Sequence, residues 1–544
     1  MYPTFSQFAR WAGQYRVIPL WIEPELPGRD SLEWVHSLAA QEQKFFFLHS
    51  ASSGASDTVA GPVSLPAGLP AFPQSSPSRG PSSSAGQARY SYLSLDAPRY
   101  QLDAVGDTLT LRHRSTGGAR QEAIKIGNPY DRFYGWFSAL TGPRVEALPP
   151  FWGGAVGYLS YESAAHLEPK LSELFRSKRA KTTPLAIEKF PELEFGVFDA
   201  VAAVDHARGR LWLVHSVFLP EGRVLSPVQL ERLYRQGQDR LRRYAVSFQK
   251  AVHRRKAWGT FQATDVKSNR SPAAYELMVR RAKGFIAQGD VYQCNLSQSF
   301  TARWSGDPWT LYRDLSAINP SPYAALWRSG TRWMVSASPE LLYRLEAGRV
   351  ETRPIAGTYP RRVKLSNDKW LAQALVQDAK ERAEHIMLVD LERNDLGRVC
   401  LPSTIQVSEA LTQEFYSHVI HLVSDVRGML SPGRSWRDLL AAGFPGGTIT
   451  GCPKLRAMEI IHKLEPHKRG PYTGSLGWIG FTGDASFNIL IGTLFLDQDR
   501  LCFPVGAGIV ADSDPPREYQ ETLHKAEALV EALQTKVEQW TRGG

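Results

Sequence analysis

Cysteine is scarce in this 544-residue chain. There are four, Cys294, Cys400, Cys452 and Cys502, with no CxxC pair and no metal-ligand spacing. That distribution excludes a disulfide-stapled scaffold and a structural zinc site. Long hydrophobic runs are missing as well: no stretch of eighteen uncharged apolar residues occurs, so no membrane-spanning helix is expected. The opening residues, MYPTFSQFARWAGQYR, have neither the apolar core nor the small-residue cleavage site of a signal peptide. The expected setting is the cytoplasm, with reduced thiols. The formal charge is +10, yet the basic clusters at 176–181 and 254–256 are short and no nucleic-acid-binding motif accompanies them. They read as solvated faces, with no nucleic-acid partner. A positive field also suits a small substrate bearing two carboxylates.

What the chain does hold is length enough for an extensive core, with 43% hydrophobic and 22% charged residues. Residues 53–87 are rich in Ser, Gly, Pro and Ala and read as a disordered insertion. Strand signals flank that stretch at Lys44-Phe-Phe-Phe-Leu-His49 and Tyr90-Ser-Tyr-Leu-Ser-Leu95, and recur at Thr108-Leu-Thr-Leu-Arg112 and Leu211-Trp-Leu-Val-His215. Residues 1–255 thus form a β-rich region, and 256–544 a second region in which long helices alternate with strands. Ser271-Pro272 starts one predicted helix that stops at Gly289. A second is expected from near Ser366 through Glu384, and a third from Pro515 and Pro516 towards Trp540. The pattern argues an α/β fold class.

Two carboxylate pairs stand out. Glu381 and Glu384 are three residues apart, as are Glu518 and Glu521, and residues so spaced share one face of a helix. Two such faces brought together would offer four carboxylates to one hard cation such as Mg²⁺. Alone, an ExxE pair is usually a solvated face. Context changes that estimate. The strings Lys380-Glu-Arg-Ala-Glu-His-Ile-Met-Leu-Val-Asp-Leu-Glu-Arg-Asn-Asp-Leu-Gly-Arg398 and Val505-Gly-Ala-Gly-Ile-Val-Ala-Asp-Ser-Asp-Pro-Pro-Arg-Glu-Tyr-Gln-Glu521 resemble signature segments of the chorismate-utilising enzymes. Further segments of that kind follow in order: Gly289-Asp-Val-Tyr-Gln-Cys-Asn-Leu-Ser-Gln298, Ser336-Ala-Ser-Pro-Glu340, Arg353-Pro-Ile-Ala-Gly-Thr358, His418-Val-Ile-His421 and Phe444-Pro-Gly-Gly-Thr448. The resemblance is strong over about 270–530 and faint before it.

The resemblance implies a fold and a set of roles. The fold would be a large sandwich of antiparallel sheets flanked by helices, α+β in class, with both halves of the chain interwoven. Glu384 and Glu521 would bind Mg²⁺ directly, with Glu381 and Glu518 acting through waters. Glu340 would be the general acid that protonates the departing C4 hydroxyl, and His421 would face the substrate ring. Thr448 and Tyr472 would contact chorismate. The backbone at Gly506, Ala507 and Gly508 would cradle a carboxylate, and Lys525 would balance charge one turn beyond Glu521.

Gln293 stands where the water-using members carry a lysine base, so the resemblance favours an ammonia-using member. Within that group Asn295 and Gly474-Ser-Leu-Gly477 are similar to aminodeoxychorismate synthases, and Phe47-Leu-His-Ser50 replaces the tryptophan-feedback motif of anthranilate synthases. The expected activity is amination of chorismate to 4-amino-4-deoxychorismate, with a separate glutamine amidotransferase as partner and source of ammonia. Two departures keep alternatives open. Ala356 replaces a nucleophilic lysine, which points towards anthranilate synthase chemistry. Gly492 replaces an arginine that faces a substrate carboxylate, which leaves room for a catalytically impaired binding subunit; on that reading Gly492→Arg would tighten chorismate binding.

Overall fold

Three consecutive phenylalanines show how the layers arise in the computed structural model, which describes residues 1–28, 31–39, 43–50, 89–115, 118–124, 127–177, 185–222, 224–254, 256–360, 368–415 and 419–535. Successive side chains on a strand point to opposite faces. Phe46 enters a core shared by two sheets, whereas Phe45 and Phe47 enter a second core that also takes in side chains from flanking helices. Val201 and Ala203 separate from Ala202 and Val204 in the same way, as do Trp212 and Val214 from Leu211 and Leu213. A strand buried on both faces has no polar face to display, so it reads as a continuous apolar run.

Among the described residues, each of the two sheets has twelve strands, paired antiparallel. The first sheet runs from Val17–Ile22 through Lys44–His49 and Tyr323–Ser329 to Arg500–Ile509, Gln293–Gly306 and Phe261–Ser268. The second runs from Ile355–Pro360 and Val419–Met429 through Leu341–Glu346 and Ser475–Gly480 to Gly154–Leu159 and Gly118–Ile124. Both sheets take strands from both sides of residue 255, so the two halves are interwoven. The α+β sandwich is the fold of this chain.

The four sequence-predicted strands are present as Lys44–His49, Tyr90–Ser94, Thr108–Ser115 and Arg210–Phe218. The helix after Ser271 spans Pro272–Ala287, with the Ser271 hydroxyl accepting from the Ala274 amide. The expected helix through Glu384 is two helices, Asp368–Gln377 and Ala379–Gly397. They are separated at Asp378, whose carboxylate accepts from the Glu381 amide. An aspartate side chain competes for backbone donors and so starts a new helix where the apolar period alone suggests continuity. The last described helix, Pro515–Ala532, is capped by Asp514. The 53–87 insertion, Ser366 and Trp540 lie outside the described residues. Among the described residues no helix is long and apolar enough to cross a membrane.

Candidate functional site

Helix Ala379–Gly397 packs on the second sheet, against strands Ile355–Pro360 and Val419–Met429. Helix Pro515–Ala532 packs on the first sheet, against strand Arg500–Ile509. Each carboxylate pair therefore rides on a different sheet, and both pairs contribute a charge that acts on Lys525. Its Nζ is 2.7 Å from a Glu521 carboxylate oxygen and donates to the Gly506 carbonyl at 3.3 Å. Burial opposes the Lys525 charge, but Glu521, Glu384 and Glu518 together hold the ammonium above its ordinary pKa. The same charge acts on Glu340 and His421. Side chains from 340, 384, 421, 518 and 521 thus share one electrostatic field. Glu381 lies one turn before Glu384, with a carboxylate oxygen 3.2 Å from where a Cβ on Gly357 would stand.

Two glycines make the opening on the first sheet. Strand Gln293–Gly306 pairs with Arg500–Ile509 so that Asn295 faces Gly508 and Ser297 faces Gly506. The Asn295 amide donates to the Thr450 carbonyl and the Ser297 amide to Glu465, both away from that pairing. By antiparallel alternation, the amides of Gly506 and Gly508 also point away from the ladder, while that of Ala507 is committed to Leu296. A Cβ on Gly508 would stand 2.6 Å from Gln293 Nε2 and 3.2 Å from Glu384 Oε1. One on Gly506 would meet Asn295 Oδ1 at 2.7 Å and the Tyr472 hydroxyl at 2.9 Å. The glycines hold this face open, and Gln293 Nε2 donates to Glu384 at 2.7 Å.

Glu340 is 3% exposed, directly before strand Leu341–Glu346. Burial is the chief cause that lifts its carboxyl pKa to about 8, and the Glu392 charge lifts it further. The Ile355 amide, 3.4 Å away, pulls it down, as do Thr448 and Lys525. Thr448 Oγ1 closes no hydrogen bond among the described residues, yet lies near enough to Glu340 to favour its ionised form. A carboxyl in this setting is protonated at neutral pH and can act as an acid. Burial, with a smaller contribution from Lys525, lowers the His421 pKa to about 4 against the Gly357 backbone, so the imidazole is neutral. Tyr472 is buried beside the Arg469 guanidinium, and burial raises its hydroxyl.

The twelve residues selected from the sequence lie on elements that border this region, but the Ala507 amide, expected to cradle a carboxylate with its glycine neighbours, is held in the ladder by Leu296 instead. The sequence reading assigned no role to Glu392, a carboxylate 3% exposed on the Glu384 helix that acts on Glu340. Its only sequence signal is its place two turns beyond Glu384. Gly492 has φ +57°, and a Cβ there would lie 3.0 Å from the Ala337 carbonyl. Arginine at that position is strained, so the expected gain from Gly492→Arg does not fit this backbone. His49 sits beside Tyr312 at 3.1 Å and lines a cavity of about 820 Å³ that lies apart from the carboxylates.

Among the described residues no group of three or more His, Cys, Asp and Glu side chains is placed to hold a metal ion, so the structure does not gather Glu381, Glu384, Glu518 and Glu521 into the four-carboxylate set expected from the sequence. Mg²⁺ does not require one: it takes one or two carboxylates and completes its octahedron with water and substrate oxygens. The oxygen donors around Lys525, and the space that Gly508 leaves beside Glu384, suit that requirement.

Known proteins share this architecture. A family model described as chorismate binding enzyme matches residues 103–531. The chain is 39% identical over 456 residues to aminodeoxychorismate synthase component 1 of Bacillus subtilis, covering 84% of this chain and 92% of the relative. It is 38% identical over 441 residues to anthranilate synthase component 1 of Aquifex aeolicus, covering 80% and 86%. The crystal structure of anthranilate synthase component I from Streptococcus pneumoniae superposes with a TM-score of 0.64 at 32% identity, over 84% of this chain and 94% of that one. The menaquinone-specific isochorismate synthase of Escherichia coli shares the fold at 16% identity, with a TM-score of 0.63 over 97% of this chain and 99% of that one. With the family match running through both interwoven halves, and such relatives along most of its length, the chain belongs to the chorismate-binding enzymes and acts on chorismate.

Proposed function

We propose that the chain is the synthase component of a two-part enzyme that aminates chorismate to 4-amino-4-deoxychorismate, using ammonia from a glutamine amidotransferase partner. The observation that carries this reading is Gln293, 2% exposed, with its amide nitrogen on Glu384. A carboxamide is not a base, so it cannot generate hydroxide from water; a nucleophile that is already reactive when neutral, such as ammonia, suits the site. The Bacillus subtilis relative's name supports the product and, through the words component 1, a partner subunit.

In this reading Glu384 and Glu521 would hold Mg²⁺, and Glu381 and Glu518 would support it through water. The ion would supply charge for a substrate carboxylate. Lys525 and the outward amides of Gly506 and Gly508 add positive potential on the same side, and Thr448 and Tyr472 orient the substrate. Glu340 gives its proton to the C4 hydroxyl, which leaves as water while ammonia forms a bond to the ring. A proton released from the attacking nitrogen restores the acid. His421, neutral, faces the ring without adding charge.

Ala356 favours a second reading. Without a lysine nucleophile, ammonia attacks C2 directly, and loss of pyruvate from that adduct gives anthranilate; reaching the 4-amino product takes a second displacement at C4. Incubation with chorismate, ammonium and Mg²⁺, followed by mass spectrometry of the products, decides the matter. A 4-amino product with the enolpyruvyl group retained is the expected result. Fluorescent anthranilate with released pyruvate would assign the second reading, and an inert protein would remove both.

A further inference from the structure

Glu392 is a buried carboxylate that the chemistry above does not use. It sits on the Glu384 helix, eight residues and about 12 Å further along the axis. Tyr343, on the strand that follows Glu340, donates to its Oε2 at 3.4 Å, and Thr352, on strand Arg349–Arg353, donates to the same oxygen at 3.3 Å. It also accepts from the Gly447 backbone amide, whose Cα has no room for a side chain: a Cβ there would stand 2.3 Å from Leu391 and 3.6 Å from Glu392 Oε1. The next residue is Thr448, whose hydroxyl faces Glu340. One carboxylate thus holds the turn Gly447–Ile449, the strand after Glu340 and the strand before Ile355, whose amide meets the Glu340 carboxyl.

Resting on the function proposed above, the geometry points to Glu392 as a positioning residue for Glu340: it fixes the Gly447–Thr448 turn against the acid and sets a like charge beside it. The surrounding charges agree. Glu392 is raised to about 7, by burial first and then by Asp395 on its own helix, against Lys454, Thr352 and the Gly447 amide. Lys454 itself is tied to Asp395 at 2.6 Å and to the Gly443 carbonyl at 2.7 Å. Glu340, at about 8, feels Glu392 from one helix and Lys525 from the other. Charge on Glu392 therefore opposes ionisation of Glu340 as pH rises. Two carboxyls whose environments separate their proton affinities can keep one of them acidic at neutral pH.

Glu392→Gln tests this. A carboxamide cannot accept from Gly447 on one side and from Tyr343 and Thr352 on the other, and it carries no charge. The alkaline limb of kcat/KM, which reports the acid of the free enzyme, is expected to move down by about half a unit or more, with kcat reduced about tenfold and KM changed less than about threefold. Thr352→Val removes one donor from Glu392, makes it harder to ionise, and is expected to move the limb the same way by less; Thr352→Ser restores it. A limb that stays in place in Glu392→Gln, whatever happens to Tm, overturns the proposal. A second readout does not need turnover. In pH-difference infrared spectra, the carboxyl band lost in Glu340→Gln should titrate at lower pH in Glu392→Gln and in Thr352→Val. An unmoved band overturns the proposal, whereas a moved band in a protein that does not aminate chorismate rejects only the function above.

Discussion

A carboxyl that must hold a proton at neutral pH is a group the fold keeps out of water. Glu340 illustrates the cost and the use of that arrangement. Its folded pKa of about 8 lies above the unfolded carboxyl value, so the folded state binds this proton more tightly than the unfolded state does. The resulting stability is present below the unfolded pKa and is lost as pH rises through about 8. Glu340→Gln keeps the shape and removes the titration. The variant should lose about 100- to 10,000-fold in kcat. Its Tm relative to wild type should rise between pH 6 and pH 9, by an amount equivalent to at most a few kcal/mol. Calorimetry at both pH values checks this; a difference in Tm that does not change with pH would contradict the assigned protonation. The residue types of the site were legible in the sequence because they occur in ordered segments. Glu392 was not, because nothing in the string indicates that its carboxylate points to Gly447 rather than to solvent.

At the scale of elements, the important feature is a strand that presents glycine on one face beside a helix that presents glutamate. Gly508 faces Gln293 and Glu384, and an added methyl at 2.6 Å from Gln293 Nε2 must displace that flexible side chain. We expect Gly508→Ala to fold with a Tm close to wild type, because the displaced atom is at the end of a side chain and not in the backbone. Loss of the Gln293–Glu384 hydrogen bond should weaken Mg²⁺ binding about tenfold, as removal of an outer partner of a metal-binding carboxylate does. Isothermal titration with Mg²⁺, beside an activity assay at saturating metal, separates the two effects. Unchanged Mg²⁺ affinity would argue that Glu384 is not a ligand. Helix existence was legible here from the spacing of apolar residues, from the Ser271 cap and from the prolines at 515 and 516, but the break at Asp378 was not. An aspartate inside a periodic stretch can face solvent or capture an amide, and the competition is settled by how the flanking helices pack.

At the scale of the molecule, the two sheets draw strands from both ends of the chain. In the first sheet, strand Lys44–His49 pairs with Tyr323–Ser329; in the second, Gly154–Leu159 pairs with Ser475–Gly480. Residues 256–544 carry every side chain of the proposed chemistry, yet they leave open edges and half of the shared core without a partner. Expressed alone, they should show no cooperative thermal transition and should bind ANS; co-expression with 1–255 should restore both the transition and activity. A cooperatively folded, active 256–544 fragment would show that the interweaving is dispensable.

The sequence by itself determined the family and most element types, and it singled out the candidate acid and carboxylate residues, because local propensity and ordered motifs are properties of the string. Only the tertiary structure decided that helices from two different sheets share the field of Lys525, that the left-handed backbone at Gly492 would strain an arginine, and that the Glu392 charge acts on Glu340. Those outcomes depend on desolvation and on contacts between segments far apart in the chain, which no local pattern records.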